Sequence, residues 1–269
     1  MQTSSLMMPR PSLRAALIAQ LRVLHALMMR EVITRFGREN LGVLWLVGEP
    51  MIFTLGVATL WTLSGLRHTS QMPIVAFAVT GYSSVLMWRN SATRASGAIP
   101  ANKPLLYHRQ VTVLDLLFVR TLLEISGATG SFIVLSCLFV SIGWMPGPQD
   151  PLEVVIGWLM LAWFGSSLAI VIGAASNLSE IVERLWHPAA YLLFPLSGAG
   201  FMVDWLPPRF QQTVLLLPMV HGVEILREGW FGDVIPTHYN IPYMAACCAI
   251  LSLAGLMLQR MAGRSVEQH

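Results

Sequence analysis

The residue types that most often carry out chemistry in proteins are few and scattered in this chain. Its 269 residues include 7 histidines, and no two of them stand at the helical spacing of a zinc site. Its 3 cysteines fall in apolar runs without metal or disulfide spacing. The single lysine, Lys103, lacks the neighbouring glycines of a phosphate-binding loop. We therefore expect no metal, no bound cofactor and no ATP hydrolysis through such a loop.

One serine could serve as the nucleophile of a membrane-embedded protease, because Ser197 lies beside Gly198. Such an enzyme would also need a histidine on a facing helix. His221 and His238 are poor candidates, because both lie in a segment that we expect at the outer face. The favoured interpretation is a small residue that lets two helices approach closely. A membrane-embedded enzyme stays open as an alternative.

Aromatic residues recur at helical spacing on two apolar segments, and a carboxylate accompanies the first set. Intervals of three or four residues place each set on one face of its helix. The members are Trp45, Glu49, Phe53 and Gly56 in the first apolar segment and Tyr191, Phe194, Gly198, Phe201 and Trp205 in and just after the fifth. Glu49 must face protein, a cavity or a partner charge, unless it lies near enough to the interface to reach water.

Charged residues also cluster in segments that we expect at the cytoplasmic side. Arg120 and Glu124 stand four residues apart and can pair on one helix face, while Asp115 stands near the start of the same helix. Glu180 and Arg184 form a second charged turn. Such turns are commonly just solvated, and a contact with another protein is the alternative.

The elements that carry these residues are predicted to be membrane-spanning helices. Hydrophobic residues make up 55% of the chain, charged residues only 12%, and the mean hydropathy is +0.61. Six apolar segments are long enough to cross a hydrocarbon layer about 30 Å thick. They are Val43–Leu66, Ile74–Ser91, Val113–Ile142, Val154–Ser176, His187–Val203 and Ile241–Met261. The predicted fold is an all-α integral membrane protein with six transmembrane helices.

The distribution of basic residues predicts the orientation, because positively charged loops resist translocation. With both termini in the cytoplasm, only Arg67, Arg209 and Arg227 fall outside. The basic residues expected inside are Arg10, Arg14, Arg22, Arg30, Arg35, Arg38, Arg89, Arg94, Lys103, Arg109, Arg184, Arg260 and Arg264. We expect a multi-pass protein with cytoplasmic N- and C-termini.

Two further segments do not fit a simple span. Residues 1–42 form a cytoplasmic N-terminal segment with a predicted amphipathic interface helix, and residues 43–269 form the transmembrane domain. Within that domain, residues 205–238 are too short and too charged to cross twice. They are predicted to form short re-entrant helices at the outer face, between spans five and six.

Three strings resemble the permease subunits of bacterial capsular polysaccharide exporters, the KpsM-like ABC transporter type-2 permease family. The first is Arg35-Phe36-Gly37-Arg38-Glu39-Asn40-Leu41-Gly42-Val43-Leu44-Trp45, which continues to Glu49-Pro50. The second is Asn102-Lys103-Pro104-Leu105-Leu106-Tyr107-His108-Arg109-Gln110-Val111, and the third is Leu217-Pro218-Met219-Val220-His221-Gly222-Val223-Glu224-Ile225-Leu226-Arg227-Glu228-Gly229. The resemblance covers nearly the whole chain. Many relatives in the wider exporter group have asparagine where this chain has Leu217.

The resemblance implies a homodimer of permeases in the inner membrane, joined to two separate ATPase subunits that bind ATP and Mg. Periplasmic and outer-membrane export components could complete the system, and nucleic acid has no part in it. The second string would be the cytoplasmic elbow that meets the ATPase. The residues assigned to coupling are Asn102, Leu105, Leu106, Tyr107, Arg109, Glu180 and Arg184.

The expected function is export of an anionic, lipid-linked capsular polysaccharide. Sugar rings present apolar C–H faces that stack on aromatic rings, so the two aromatic faces could line a path between two copies. Helix packing alone could also explain these aromatic residues. Another polysaccharide, a teichoic-type polymer, a lipid or a drug is the alternative cargo.

Overall fold

Long apolar segments in a membrane must satisfy their backbone hydrogen bonds internally, which favours helices. The computed structural model describes residues 12–36, 42–63, 72–106, 111–234 and 236–267, and within these ranges it contains helices and no strand. The predicted all-α class is therefore confirmed. The helices are α1 Leu13–Phe36, α2 Gly42–Leu63, α3 Ile74–Ala95, α4 Ala98–Ala101, α5 Lys103–Leu106, α6 Val113–Ser141, α7 Pro151–Leu178, α8 Glu180–Leu196, α9 Pro208–Val214, α10 Pro218–Phe231 and α11 Ile241–Glu267. Short 3-10 turns span Val203–Trp205 and Gly232–Val234.

Four of the described helices are long and apolar enough to cross a membrane. They correspond to Leu44–Leu63, Val113–Ser141, Pro151–Leu178 and Ile241–Arg264. Two predicted spans are weaker candidates, because α3 carries Arg89 and Arg94 and α8 has only 17 residues. The count of six spans therefore stays a prediction.

Helix α7 lies at the centre of the bundle and packs against α3, α10 and α11. Three of its glycines make close approaches to neighbouring helices. A Cβ at Gly157 would stand 2.6 Å from the Leu226 backbone nitrogen, and one at Gly165 would stand 2.9 Å from the Trp88 Cα. A Cβ at Gly173 would stand 3.0 Å from the Ala95 carbonyl oxygen. Small residues at these positions let the helix backbones pack in direct contact.

The ends of the long helices have clear local causes. Thr112 and Asp115 form a reciprocal capping box at the start of α6, which confirms the predicted role of an acid there. Asp150 caps α7, whose first residue is Pro151. Helix α8 stops at Leu196, before a glycine with φ of +84° at position 198. The predicted fifth span, His187–Val203, is therefore placed too late in the chain.

Helix α1 confirms the predicted N-terminal helix and attaches to the bundle through its second half. Leu27 is buried in a cluster with Val119 and Leu123 of α6. The apolar side chains of its first half, such as Leu13 and Leu17, are exposed. All residues from 12 to 20 are exposed, so the predicted place of this half at the membrane surface stays a prediction.

Candidate functional site

A network of ion pairs joins α1 to the spanning helices. At its centre Glu31 of α1 is only 5% exposed. Arg35 Nε donates to Glu31 Oε1 at 2.8 Å, and Arg120 Nε of α6 lies 3.1 Å from the same oxygen. A buried carboxylate needs such partners, because its desolvation would otherwise cost several kcal/mol. The network therefore fixes the end of α1 against α6.

The same network continues across α6 and α3 to α2. Glu124 pairs with Arg35 and also lies 3.7 Å from Arg94 Nε. Arg94 Nη2 then donates to Glu49 Oε1 at 3.2 Å. Arg120 therefore pairs with an acid on α1, and the predicted pair between Arg120 and Glu124 is wrong. Glu49 has a partner charge, so its position in an apolar helix is accounted for by a bundle contact.

The predicted elbow is tied to α1 by a separate set of contacts. Arg30 Nη1 donates to Asn102 Oδ1 at 2.9 Å, and Asn102 Nδ2 donates to the Ala98 carbonyl at 3.0 Å. Asn102 is buried. Farther along, Gln20 of α1 donates to Asp115 at the start of α6. Both ends of the elbow therefore attach to α1, before and after the segment that links α5 to α6.

The predicted apolar anchor of the elbow is already partly packed within the chain. Leu105 is half-buried against the cluster that joins α1 to α6, and Leu106 packs against a second cluster at the ends of α3, α6 and α7. Tyr107 and Arg109, also predicted to contact an ATPase, lie outside the described residues. The role of these four residues in coupling stays a prediction.

The second predicted coupling segment lies beside the turn between α3 and α4, a few residues before the elbow. Glu180 and Arg184 form an exposed ion pair of 3.1 Å within the first turn of α8. Between them, the Glu183 Oε1 atom lies 2.8 Å from where a Cβ would stand at Gly97, which has φ of +67°. The fold therefore brings the start of α8 next to the turn between α3 and α4.

Two of the aromatic residues predicted on α8 contact α3. Phe194 packs edge-on against Tyr82, with ring centroids 5.2 Å apart. The Arg89 guanidinium carbon lies 4.6 Å from the centre of the Tyr191 ring. Tyr191 is nevertheless 65% exposed. Its free ring face remains available to a ligand or to another protein surface.

The aromatic residues predicted on α2 are also exposed. Trp45 is 38% exposed and Phe53 is 58% exposed, whereas Thr54 on the next position of the helix is buried. Glu49 lies between them and contacts α3 at Arg94. Helix α3 therefore carries one arginine against each predicted face, since Arg94 contacts α2 and Arg89 contacts α8.

The other two predicted path residues do not share the α8 face. Because α8 ends at Leu196, Phe201 lies after the helix and Trp205 lies in a 3-10 turn. Phe201 packs in a small cluster with Val203 and Val220. Trp205 stacks on Phe77 of α3, with ring centroids 5.3 Å apart. The prediction of one continuous aromatic face from Tyr191 to Trp205 is therefore wrong.

Arg227 of α10 binds the backbone of the segment that follows α8. Its guanidinium is fully buried and donates to the carbonyls of Gly198 at 2.7 Å, Ala199 at 2.7 Å and Phe201 at 2.8 Å, and to that of Phe77 in α3 at 3.4 Å. Its Cζ also lies 3.8 Å from the centre of the Phe77 ring. The first three carbonyls follow a helix end and need donors. Arg227 therefore holds the chain after α8 against α10 and α3.

Other polar residues of α10 serve the backbone in the same way. Glu224 accepts the N–H of Val203 at 3.2 Å and that of His238 at 3.0 Å. His221 Nδ1 accepts the N–H of Asn240 at 3.1 Å. The third string therefore binds the segments before α9 and after α10, and its polar residues act as structural clamps.

The linker that leads to α11 is fixed to α7 as well. The Tyr239 hydroxyl donates to Glu153 Oε1 at 2.9 Å. Burial raises the pKa of Tyr239, and this hydrogen bond adds to the shift. The hydroxyl therefore stays protonated at neutral pH and keeps its role as a donor.

The hydroxyl of Ser197, the candidate nucleophile, takes part in hydrogen bonds at the end of α8. Its hydroxyl donates to the Phe194 carbonyl at 2.6 Å and accepts a bond from the Ala199 N–H at 3.4 Å. The side chain is fully buried. These contacts show Ser197 as the residue that caps the end of α8.

A family model described as ABC-2 type transporter matches residues 22–231, which include the ion-pair network, the elbow and all of α10. The chain belongs to this family. Among relatives, it is similar to the capsule polysaccharide export inner-membrane protein CtrC of Neisseria meningitidis, with 42% identity over 96% of this chain and 97% of CtrC. The BexB protein of Haemophilus influenzae, which has the same description, is 39% identical over 94% of this chain and 96% of BexB. The polysialic acid transport protein KpsM of Escherichia coli is 25% identical over 92% of this chain and 96% of KpsM.

In this ABC-2 transporter chain, sequence reasoning missed two arginines that the structure places in defined contacts. Arg227 was counted only as a basic residue of an outer segment, although a charge among apolar residues already called for partners. Arg89 was counted only for orientation, although it lies six residues before the end of α3. The signal in both cases was the cost of a charge within an apolar helix.

Proposed function

We propose that this chain is the transmembrane subunit of an ATP-driven exporter that moves capsular polysaccharide across the bacterial inner membrane. The observation that carries the proposal is the end-to-end similarity to CtrC and BexB, both described as capsule polysaccharide export inner-membrane proteins. The chain itself is a permease and not an enzyme. Separate ATPase subunits would bind ATP and Mg and supply the energy.

The geometry supports a route by which an ATPase could act on the spans. The elbow at Asn102 binds Arg30 of α1, α1 binds α6 through the ion pairs of Glu31 and Glu124, and Glu124 also pairs with Arg94 of α3. A force on the elbow would therefore reach α6 and α3 through polar contacts between largely rigid elements. The neighbouring start of α8 offers a second surface to the same partner.

Two copies of the permease would enclose the path. The exposed aromatic residues Trp45 and Phe53 on α2 and Tyr191 on α8 lie on surfaces that the single chain leaves open. A second copy could cover these surfaces and leave a channel lined with aromatic rings, on which sugars stack by about 0.5–1.5 kcal/mol per contact. Both termini would lie in the cytoplasm, as the distribution of arginines favours.

Removal of the gene in the source bacterium tests the proposal directly. We expect polysaccharide to disappear from the cell surface and to accumulate inside the cell, because synthesis continues without export. Re-expression of the chain should restore the surface polymer, and the measurement is immunoblotting of surface and cytoplasmic fractions. Normal surface polysaccharide in the deletion strain would contradict the proposal.

A further inference from the structure

Arg89 has no carboxylate or carbonyl partner among the described residues, unlike four arginines that take part in the polar contacts of the bundle. Arg35, Arg94 and Arg120 pair with carboxylates, and Arg227 binds carbonyls. Among the described residues, no carboxylate or backbone oxygen lies within bonding distance of the Arg89 guanidinium. The Arg89 guanidinium carbon lies 4.6 Å from the centre of the Tyr191 ring, and its charge also acts on the nearby Tyr82.

Arg89 is half-buried in a helix that is otherwise largely apolar, so a partner for its charge would offset the cost of its position. It lies six residues before the end of α3 and two residues before the end of the predicted span Ile74–Ser91. A charge at such a position is tolerated where it faces protein, water or a ligand of opposite charge. Contact with an aromatic face offsets only part of the cost and leaves the five N–H donors at the edge of the guanidinium plane available.

The ring beneath Arg89 is held in place by contacts on both sides. One turn farther along α8, Phe194 packs against Tyr82. In the other direction, Trp186 Nε1 donates to Thr93 Oγ1 at 3.1 Å. Two helices therefore fix Arg89 and Tyr191 relative to each other, and the pair opens onto the exposed side of α8. A preorganised guanidinium beside a free aromatic face matches an acidic sugar, because the ring stacks on C–H groups while the fork of donors binds a carboxylate or phosphate.

We infer that Arg89 and Tyr191 form an anion-binding position on the transport path, which recognises the carboxylate or phosphate groups of an acidic polysaccharide. This inference rests on the proposed function and names the residue that gives the exporter its preference for anionic polymers. The phosphate of a membrane lipid carries the same chemistry, so lipid and polymer must be compared separately.

Binding by the full-length chain in dodecyl maltoside, measured by microscale thermophoresis, tests the inference. The probes are oligogalacturonate as an acidic polymer, maltoheptaose as a neutral one and dioctanoyl phosphatidylglycerol as a lipid phosphate. Arg89→Gln should weaken oligogalacturonate binding by about tenfold or more, because a charged hydrogen-bond partner is lost. It should leave maltoheptaose binding unchanged, and Arg89→Lys should keep part of the affinity. Tyr191→Leu should weaken binding of both oligosaccharides.

The exposed Arg260 on α11 provides the matched control, and Arg260→Gln should bind every probe as the wild type does. Equal binding of oligogalacturonate by Arg89→Gln and the wild type would overturn the inference. Weaker lipid binding with unchanged polymer binding would also overturn it and would identify a lipid contact instead.

An export assay separates this inference from the proposed function. In the deletion strain, failure of the wild-type chain to restore surface polysaccharide would contradict the proposed function itself. Restoration by the wild type, with an equal level from Arg89→Gln, would contradict only the role of Arg89. We expect the wild type to restore export and Arg89→Gln to restore several-fold less.

Discussion

Arg227 and Arg89 both place a charge within apolar surroundings, and they differ in what satisfies it. Arg227 has carbonyl acceptors at 2.7–2.8 Å and an aromatic face, so both of its terminal nitrogens donate within the chain, while its Nε has no partner among the described residues. Arg89 has an aromatic face and no carbonyl or carboxylate acceptor among the described residues. An arginine whose terminal nitrogens bind carbonyls of its own chain is part of the architecture, whereas one without such acceptors suits a ligand.

Arg227→Gln is therefore expected to destabilise the protein. The shorter side chain leaves carbonyls of residues 198–201 without donors in a buried site, which should cost about 3 kcal/mol. The measurement is the melting temperature of the purified chain in detergent. Arg209→Gln is the control, because Arg209 is exposed on α9. Equal melting temperatures for both variants would contradict the clamp role of Arg227.

At the residue scale, sequence predicted that charges need partners but did not predict which partners they take. Arg120 and Glu124 stand four residues apart on α6, yet each pairs with residues of other helices. The predicted pair does not form because α1 lies against this part of α6 and brings Glu31 within ion-pair distance of Arg120 and Arg35 within that distance of Glu124. The spacing within one helix carries no information about that neighbour.

The packing of α7 gives a prediction for an element. A Cβ at Gly165 would press on the Trp88 backbone at 2.9 Å, and backbone cannot move aside as a flexible side chain can. Gly165→Ala should therefore cost about 1–3 kcal/mol by overpacking. Gly56→Ala on α2 is the control, because no atom lies within 4 Å of its added Cβ. Thermal melting of both variants checks the prediction, and a stability of Gly165→Ala equal to that of the control would refute it.

The bounds of a helix could be predicted from the sequence where the length of the apolar segment sets them. The prediction failed where the local backbone conformation ends the helix. Helices α6 and α7 match the predicted spans within a few residues. Helix α8 does not, because apolar residues continue past Leu196 while the glycine at position 198 turns the backbone out of the helix. The predicted aromatic face does not continue beyond Leu196 for the same reason. Tyr191 and Phe194 lie within the helix, and both contact α3.

At the scale of the whole molecule, α3 connects the two ends of the bundle. Its Arg94 belongs to the ion-pair network, and its Phe77 packs under Arg227 and Trp205. These two residues lie 17 positions apart, or about 26 Å along one helix. A displacement of the network would therefore be carried by a single rigid element to the clamp that follows α8.

The contact between Arg30 and Asn102 is the point at which α1 holds the elbow, and it gives the last prediction. Asn102→Ala removes both the acceptor for Arg30 and the donor to Ala98. We expect the variant to remain in the membrane and to co-purify with its ATPase, while export falls several-fold because movement of the elbow no longer reaches α1. Arg30→Ala should give a similar loss, and the double variant should lose little more, since both changes break one contact. Arg22→Ala is the matched control, because Arg22 is exposed on the same helix. The measurements are the surface polysaccharide of each strain, which reports export, and ATP hydrolysis in its membranes. Strictly additive losses, or full export by Asn102→Ala, would show that coupling does not pass through this contact.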